Sequence, residues 1–164
     1  MKRLYVIRHA KSSWSDPALG DFDRPLNKRG KRDAPFMGAR LKEGGAKPDM
    51  IVSSPARRAV KTAREIAKAL GFPAKKIVEE TAVYEASLYD LLAVVRKIPD
   101  SCGEVVIVGH NPGFSDLAGY LASDSTIYMP TCAVYCVDLD VDSWMSVTAG
   151  LGKVVSYDYP KKHA

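Results

Sequence analysis

The chain has 164 residues, 46% of them hydrophobic and 26% charged, with a formal net charge of +5. That length suits one domain with a proper core, and that balance excludes a disordered or collagen-like chain. The basic excess is compatible with phosphate-bearing partners, whether metabolite, phosphoprotein or nucleic acid, and selects none of them.

Strand-like and helix-like segments alternate along the chain, which is an α/β pattern. The run Leu4 to Ile7 predicts a short buried strand. Arg8 interrupts it after four residues, too few for a signal peptide or a membrane span, so a cytoplasmic location is expected. From Trp14 to Pro25 the segment is rich in Ser, Asp, Gly and Pro and predicts a long surface loop. A helix over 27–43 follows, with Asn27 as N-cap and Gly44-Gly45 as its stop, and Pro35 is expected to kink or loosen its first turns.

Met50 to Ser53 predicts the second strand, and Ser54-Pro55 opens a helix to about Leu70, serine suiting the N-cap and proline the first helical position. Gly71 ends it. Ile77-Val78 is a candidate short strand, and Ser87 to Asp90 reads as the capping-box start of a helix to about Lys97. Tyr84, Glu85 and Ala86 are thereby placed just before a helix. Glu104 to Val108 is the most apolar strand, followed by Gly109-His110-Asn111-Pro112-Gly113 and a helix over 114–121. Ala133 to Leu139 and Met145 to Ala149 are expected to pair as a hairpin across Asp140 to Ser143, with a loose tail from Tyr157.

The three cysteines, Cys102, Cys132 and Cys136, are odd in number and form no CxxC pair, so neither a disulfide framework nor a zinc ribbon is indicated. The basic residues fall in small knots, namely Lys28-Arg29 with Lys31-Arg32, Arg57-Arg58 with Lys61, Lys75-Lys76, and Lys161-Lys162. Solvated faces are their ordinary explanation, and no nucleic-acid motif accompanies them. His163 lies in the tail with no chemical context.

Chemistry concentrates at strand ends. Arg8-His9 follows the first strand, Arg57-Arg58 the second, and His110 the most apolar one. Open α/β sheets bind ligands in the crevice at the carboxyl ends of their strands. If these three strands are parallel neighbours, one site receives two histidines and at least two arginines, which suits a phosphoryl group. Such a group carries about two negative charges spread over three acceptor oxygens. Arginine forks pair those oxygens two at a time, a helix N-terminus adds backbone N–H groups, and charge is neutralised without a metal. A neutral imidazole can then attack phosphorus in line and form a phosphohistidine that water hydrolyses. Taken singly, each of these residues also has a structural explanation.

The quoted residues carry a family resemblance. Leu4-Tyr5-Val6-Ile7-Arg8-His9-Ala10 resembles the Arg-His-Gly signature of the histidine phosphatase superfamily, which includes phosphoglycerate mutases, with alanine in place of glycine. Asp23-Arg24-Pro25-Leu26 with Gly30, then Ser53 to Ala63, then Val108-Gly109-His110-Asn111-Pro112 follow in the family's order, so the likeness spans about residues 4 to 121. Within the superfamily, Arg-His-Ala-Lys-Ser, Asp-Arg-Pro-Leu and Gly-His-Asn-Pro are similar to the bacterial phosphohistidine phosphatases of the SixA type.

The resemblance implies a single-domain, three-layer α/β sandwich of the phosphoglycerate mutase type, with a mostly parallel sheet flanked by helices. It also implies roles. His9 is the expected nucleophile, Arg8 and Arg58 the phosphoryl clamp, and His110 a further hydrogen-bond donor, with no cofactor and no metal. Arg58, rather than Arg57, matches the family position, being followed by Ala59 and Thr62. Glu85 occupies a place comparable to the mutase general acid, and a surface carboxylate is its competing reading. A SixA-type enzyme can dispense with a strong acid, because a phosphoramidate leaves as neutral imidazole once its ring is protonated.

Where the mutase pattern runs on to asparagine, Lys11-Ser12-Ser13-Trp14-Ser15 has serine, which speaks against mutase specificity. With little chain available for a capping insertion, an open crevice is expected, one that admits a protein side chain. The expected activity is metal-independent hydrolysis of phosphohistidine or phosphomonoesters through phospho-His9, acting on a phosphorylated protein or a small phosphate ester. The alternatives are a non-catalytic phosphate or phosphoprotein-binding module of the same fold, and a small-metabolite phosphatase or mutase. Neither a nucleic-acid nor a membrane partner is expected, and the sequence leaves the oligomeric state open.

Overall fold

In a computed structural model describing residues 1–164, the chain builds one six-stranded sheet with helices on both faces. The elements run β1 (Lys2–Arg8), α1 (Lys28–Glu43), β2 (Met50–Ser53), α2 (Arg57–Leu70), β3 (Val78–Glu79), α3 (Leu88–Arg96), β4 (Glu104–Gly109), α4 (Gly113–Ala122), β5 (Val134–Leu139) and β6 (Gly152–Asp158). The strand order is β3-β2-β4-β1-β5-β6. β3, β2, β4 and β1 pair in parallel, whereas β5 and β6 are antiparallel additions. The α/β class is the one the sequence pattern predicted, and the mostly parallel three-layer arrangement is the one the family resemblance implied.

The period-2 geometry of a strand sends alternate side chains to opposite faces. Leu4 and Val6 of β1 join Val105 and Ile107 of β4 in a core shared with Phe114 and Leu117 of α4 and Leu91 and Val95 of α3. Tyr5 and Ile7, with Val106 and Val108, join a second core under Met37 of α1 and Ile66 of α2. β1 and β4 are therefore apolar on both faces, as central parallel strands must be. No helix is long and apolar enough to cross a membrane.

Local signals act largely as expected. Asn27 caps α1 by accepting the Gly30 N–H through its side chain, Gly71 closes α2 in the left-handed conformation, and Ser87 and Asp90 form the capping box of α3. As expected, α1 runs to Glu43 with Pro35 inside it. Two expectations need correction. α2 begins at Arg57 with Ala56 at the N-cap, two residues later than Ser54-Pro55 suggested, and the Ser54 hydroxyl takes the Ala56 N–H in the turn before it.

The second correction concerns the terminal hairpin, whose second strand is β6 and not 145–149. Trp144–Ser146 forms a 3-10 turn that buries the Trp144 ring and donates its indole N–H to the Cys102 carbonyl. Trp144 and Val147 thus reach the core from a turn. β6 pairs Gly152 with Leu139, and its Val154 and Val155 are exposed. The tail is likewise not loose, because Asp158 accepts from the Arg40 guanidinium at 2.6 Å and pairs with His163.

Candidate active site

β1, β4 and β2 are adjacent and parallel, so their carboxyl ends open on one crevice. Backbone bonds beyond the strands hold the three exits together. His9 N–H donates to the Gly109 carbonyl at 2.9 Å, and Ser54 N–H donates to the Val108 carbonyl at 2.9 Å. An open cavity of about 340 Å³ is lined by Arg8, His9, Arg24, Arg58, Glu85 and His110, with Asp21 and Tyr84 at its side. Every residue singled out as a site candidate therefore reaches one place, whereas Arg57 is exposed and does not line it.

His9 is buried, and its Nδ1 lies 2.7 Å from the Ala10 carbonyl. A carbonyl can only accept, so Nδ1 carries the proton and Nε2 keeps its lone pair. Burial pushes the His9 pKa down to about 3, helped by the charges of Arg58 and Arg8, while its bond to Ala10 works in the opposite sense. The imidazole is neutral throughout the physiological range.

His110 is also pushed down, to about 4, first by burial and then by the Arg58 charge. Its Nδ1 sits 3.3 Å from Arg58 Nη2, which can only donate. Nδ1 therefore accepts, and Nε2–H donates to Ser54 Oγ at 2.7 Å. With both nitrogens engaged, His110 must exchange a partner before it can donate to a phosphoryl oxygen. The two rings lie 5.1 Å apart, centroid to centroid.

The arginines are held by structure that the sequence did not announce. Arg8 donates to the Met129 carbonyl at 3.0 Å, and Asn111 donates to the same carbonyl at 2.8 Å. Arg58 donates to the Asp21 carbonyl at 2.6 Å and to the Asp21 carboxylate at 3.0 Å. That carboxylate also accepts from Arg24 at 3.0 Å and from the Tyr84 hydroxyl at 2.7 Å. Burial opposes ionisation of Asp21, but the bonds from Tyr84, Arg24 and Arg58 outweigh it and hold the carboxyl below the usual range. The Tyr84 phenol is pushed up to about 12, chiefly by burial and by Asp21.

Arg24 also donates to Ser12, and its guanidinium lies 3.5 Å from the centroid of the exposed Trp14 ring. Arg8, similarly, lies beneath Tyr128 at 5.9 Å. The Nε–H groups of Arg8, Arg24 and Arg58 are buried and find no acceptor in the protein. Unpaired buried donors cost about 1–3 kcal/mol each, so three of them around one cavity favour an anion with several acceptor oxygens.

Close packing fixes the crevice floor. Thr62 accepts the Ala10 N–H at 3.0 Å while donating to the Arg58 carbonyl at 2.8 Å, which ties the residue after His9 to the helix carrying Arg58. A Cβ at Gly30 would lie 2.1 Å from the Lys11 carbonyl oxygen, so no larger residue fits without moving that backbone. Glu85 is exposed on the rim with φ +54°, a conformation uncommon outside glycine.

Asp21, Arg24, Tyr84 and Ser54 went unread as site residues. Asp21 and Tyr84 meet only through tertiary packing of two loops. Ser54 read as a helix cap because Ser-Pro is the usual local signal for one.

The class defined by this fold and crevice is a three-layer α/β protein that presents a neutral imidazole and three guanidinium groups to an anion. The model of the histidine phosphatase superfamily (branch 1) matches residues 4–91, and the chain belongs to that superfamily. It is 32% identical over 156 residues to an uncharacterised chloroplastic protein of Arabidopsis thaliana, covering 87% of this chain and 69% of that one. A structure from Agrobacterium tumefaciens assigned as the phosphohistidine phosphatase SixA superposes with a TM-score of 0.83 at 25% identity, over 97% of this chain and 98% of the other. The protein histidine phosphatase SixA in complex with tungstate gives a TM-score of 0.85 at 21% identity, covering 99% of each chain.

Proposed function

We propose that the chain is a phosphohistidine phosphatase, with some activity on phosphomonoesters, working through a phosphorylated His9. The observation that carries this reading is the Nδ1–H bond from His9 to the Ala10 carbonyl, which leaves Nε2 unprotonated in a cavity bearing Arg8, Arg24 and Arg58. Nε2 attacks phosphorus, an N–P bond forms, and the bond to the leaving group breaks with its electron pair on the leaving atom. The arginines neutralise the charge gathered on the phosphoryl oxygens. Water then attacks phospho-His9. Because Nδ1 keeps its proton on Ala10, the ring departs as neutral imidazole and needs no further proton.

The first leaving group decides whether an acid is required. An alkoxide needs a proton, for which Glu85 on the cavity rim is our candidate donor. A phosphohistidine substrate protonated at its other ring nitrogen leaves as neutral imidazole without one. The openness of the cavity and the likeness to SixA-type structures favour a protein-borne phosphohistidine.

The test is hydrolysis of p-nitrophenyl phosphate and of phosphohistidine proteins in the presence of a chelator, with trapping of an acid-labile, base-stable label on the enzyme. His9→Ala should abolish both turnover and label. Full activity in that variant would overturn the mechanism. Glu85→Gln should depress ester hydrolysis while sparing phosphohistidine turnover.

A further inference from the structure

Two basic knots that are far apart in sequence meet beside the crevice. A cavity of about 450 Å³ is lined by five cationic side chains, Arg8, Lys11, Arg29, Arg32 and Lys161, drawn from the end of β1, from α1 and from the C-terminal tail. Asp33 is the one acidic side chain among its lining residues. Asp33 is buried and accepts from Arg32 at 3.2 Å, with Arg29 at 3.9 Å, so one carboxylate is shared between two guanidinium groups. Arg29 also reaches Thr131 Oγ1 at 3.4 Å. The positive charge is therefore far from balanced within the protein.

This cavity continues the crevice, because Arg8, Lys11 and Thr131 line both. A phosphoryl group seated against His9 would have its neighbouring atoms at the mouth of the second cavity. The exposed Tyr128 ring, which stacks on Arg8, lines the basic cavity, and the exposed Trp14 ring, which stacks on Arg24, lines the crevice. Small-molecule sites enclose most of their ligand in mainly apolar walls. Here most of the lining residues are charged or polar, and Arg, Tyr and Trp, the residues most used to anchor protein partners, stand exposed around the opening.

We propose that this basic cavity is a substrate-docking subsite that takes the carboxylates of an acidic polypeptide segment flanking the phosphorylated residue. It rests on the reading of the crevice as a phosphatase site and adds the substrate's character: a phosphorylated protein with an acidic surface beside the modified side chain. Opposite charges across such a contact steer encounter and fix register, so the effect belongs in KM and in salt dependence more than in kcat.

The experiment compares two phosphohistidine peptides of identical sequence, except that one carries three aspartates beside the phosphohistidine where the other has asparagines. The wild type should show a KM about tenfold lower for the acidic peptide, as expected of two or three exposed ion pairs, with kcat unchanged. The preference should fade as salt is raised. In Arg32→Gln/Lys161→Gln, which leaves Arg29 as a partner for Asp33, the preference should largely vanish. Turnover of p-nitrophenyl phosphate should stay within about twofold, since neither residue lines the crevice.

Equal KM values for the two peptides in the wild type would overturn the proposal. So would an equal loss on p-nitrophenyl phosphate in the double variant, or a preference for a small dicarboxylated phosphate ester over the acidic peptide. Binding of both peptides to His9→Ala, read by fluorescence anisotropy, separates this proposal from the catalytic one. Acidic preference in binding without wild-type turnover would refute catalysis and support the subsite, and absence of preference in binding would refute the subsite alone.

Discussion

Burying two neutral imidazoles makes the folded protein sensitive to acid by an amount that can be worked out. His9 falls to about 3 and His110 to about 4, both chiefly through burial. In the unfolded chain each titrates near the ordinary value of about 6.5. As the pH drops below that value the unfolded state takes up protons that the folded state refuses, so stability is full above about pH 6.5 and declines toward the folded values. Between pH 8 and pH 5 each histidine removes about 2 kcal/mol, and the pair about 4 kcal/mol. Asp21 behaves in the opposite sense. Its depressed carboxyl contributes stability that is present above about pH 4 and lost below, outside this window. The assay is urea unfolding at both pH values for the wild type and for His9→Asn/His110→Gln, whose amides can keep the bonds to Ala10 and Ser54. The wild type should lose about 4 kcal/mol more than the double variant, and each single variant should recover about half of that. A common pH slope for all four proteins would refute the reasoning, as would His9 ring resonances that titrate with a midpoint near 6.5.

Arg58→Lys keeps the charge but loses the planar fork that meets Asp21 twice, and kcat/KM for p-nitrophenyl phosphate should fall about a hundredfold. Thr62→Val preserves shape but strands the Ala10 N–H, which should cost about 1–3 kcal/mol in urea unfolding and lower kcat more than it raises KM. Gly30→Ala places a methyl against the Lys11 carbonyl, so unfolding should report a loss of about 1–3 kcal/mol together with reduced activity. Trp14→Ala removes the ring stacked on Arg24 and should raise KM severalfold, about 1 kcal/mol in binding, while leaving the urea midpoint nearly unchanged.

What the sequence disclosed, it disclosed through local rules. The apolar runs of β1, β2 and β4, the caps at Asn27, Ser87 and Gly71, and the placing of Arg8, Arg58 and His110 after strands all follow from residue type and spacing over a few positions. Adjacency of the three strands was a conditional, and the order β2-β4-β1 supplies it. The missed features depend on packing between distant segments. Asp21 looked like one more loop aspartate until Arg24, Arg58 and Tyr84 converged on it. The β6 segment lacks a clean apolar alternation because it lies at the sheet edge, where Lys153 and Ser156 are tolerated and Val154 and Val155 stay exposed. The strand expected over 145–149 overlaps the 3-10 turn Trp144–Ser146, from which Trp144 and Val147 are buried without any strand pairing.

Three guanidinium groups around one cavity are costly to assemble. Two like charges about 8 Å apart repel by roughly 2 kcal/mol at an effective dielectric constant near 20, and the same positive field disfavours protonation of His9 and His110. The protein meets the first problem with Asp21, whose carboxylate joins Arg24 and Arg58 and draws in Tyr84 from a third segment. It turns the second to use. An imidazole that resists protonation keeps its attacking nitrogen free, and arginines anchored to Asp21 or to the Met129 carbonyl lose little further order when an anion arrives. A monoanion can offset these three cations only in part, whereas a phosphoryl group brings about two charges and several acceptor oxygens to donors that have none. The loop over 14–25, which looked like mere connection, is therefore as much part of the anion site as the strand ends from which the histidines project.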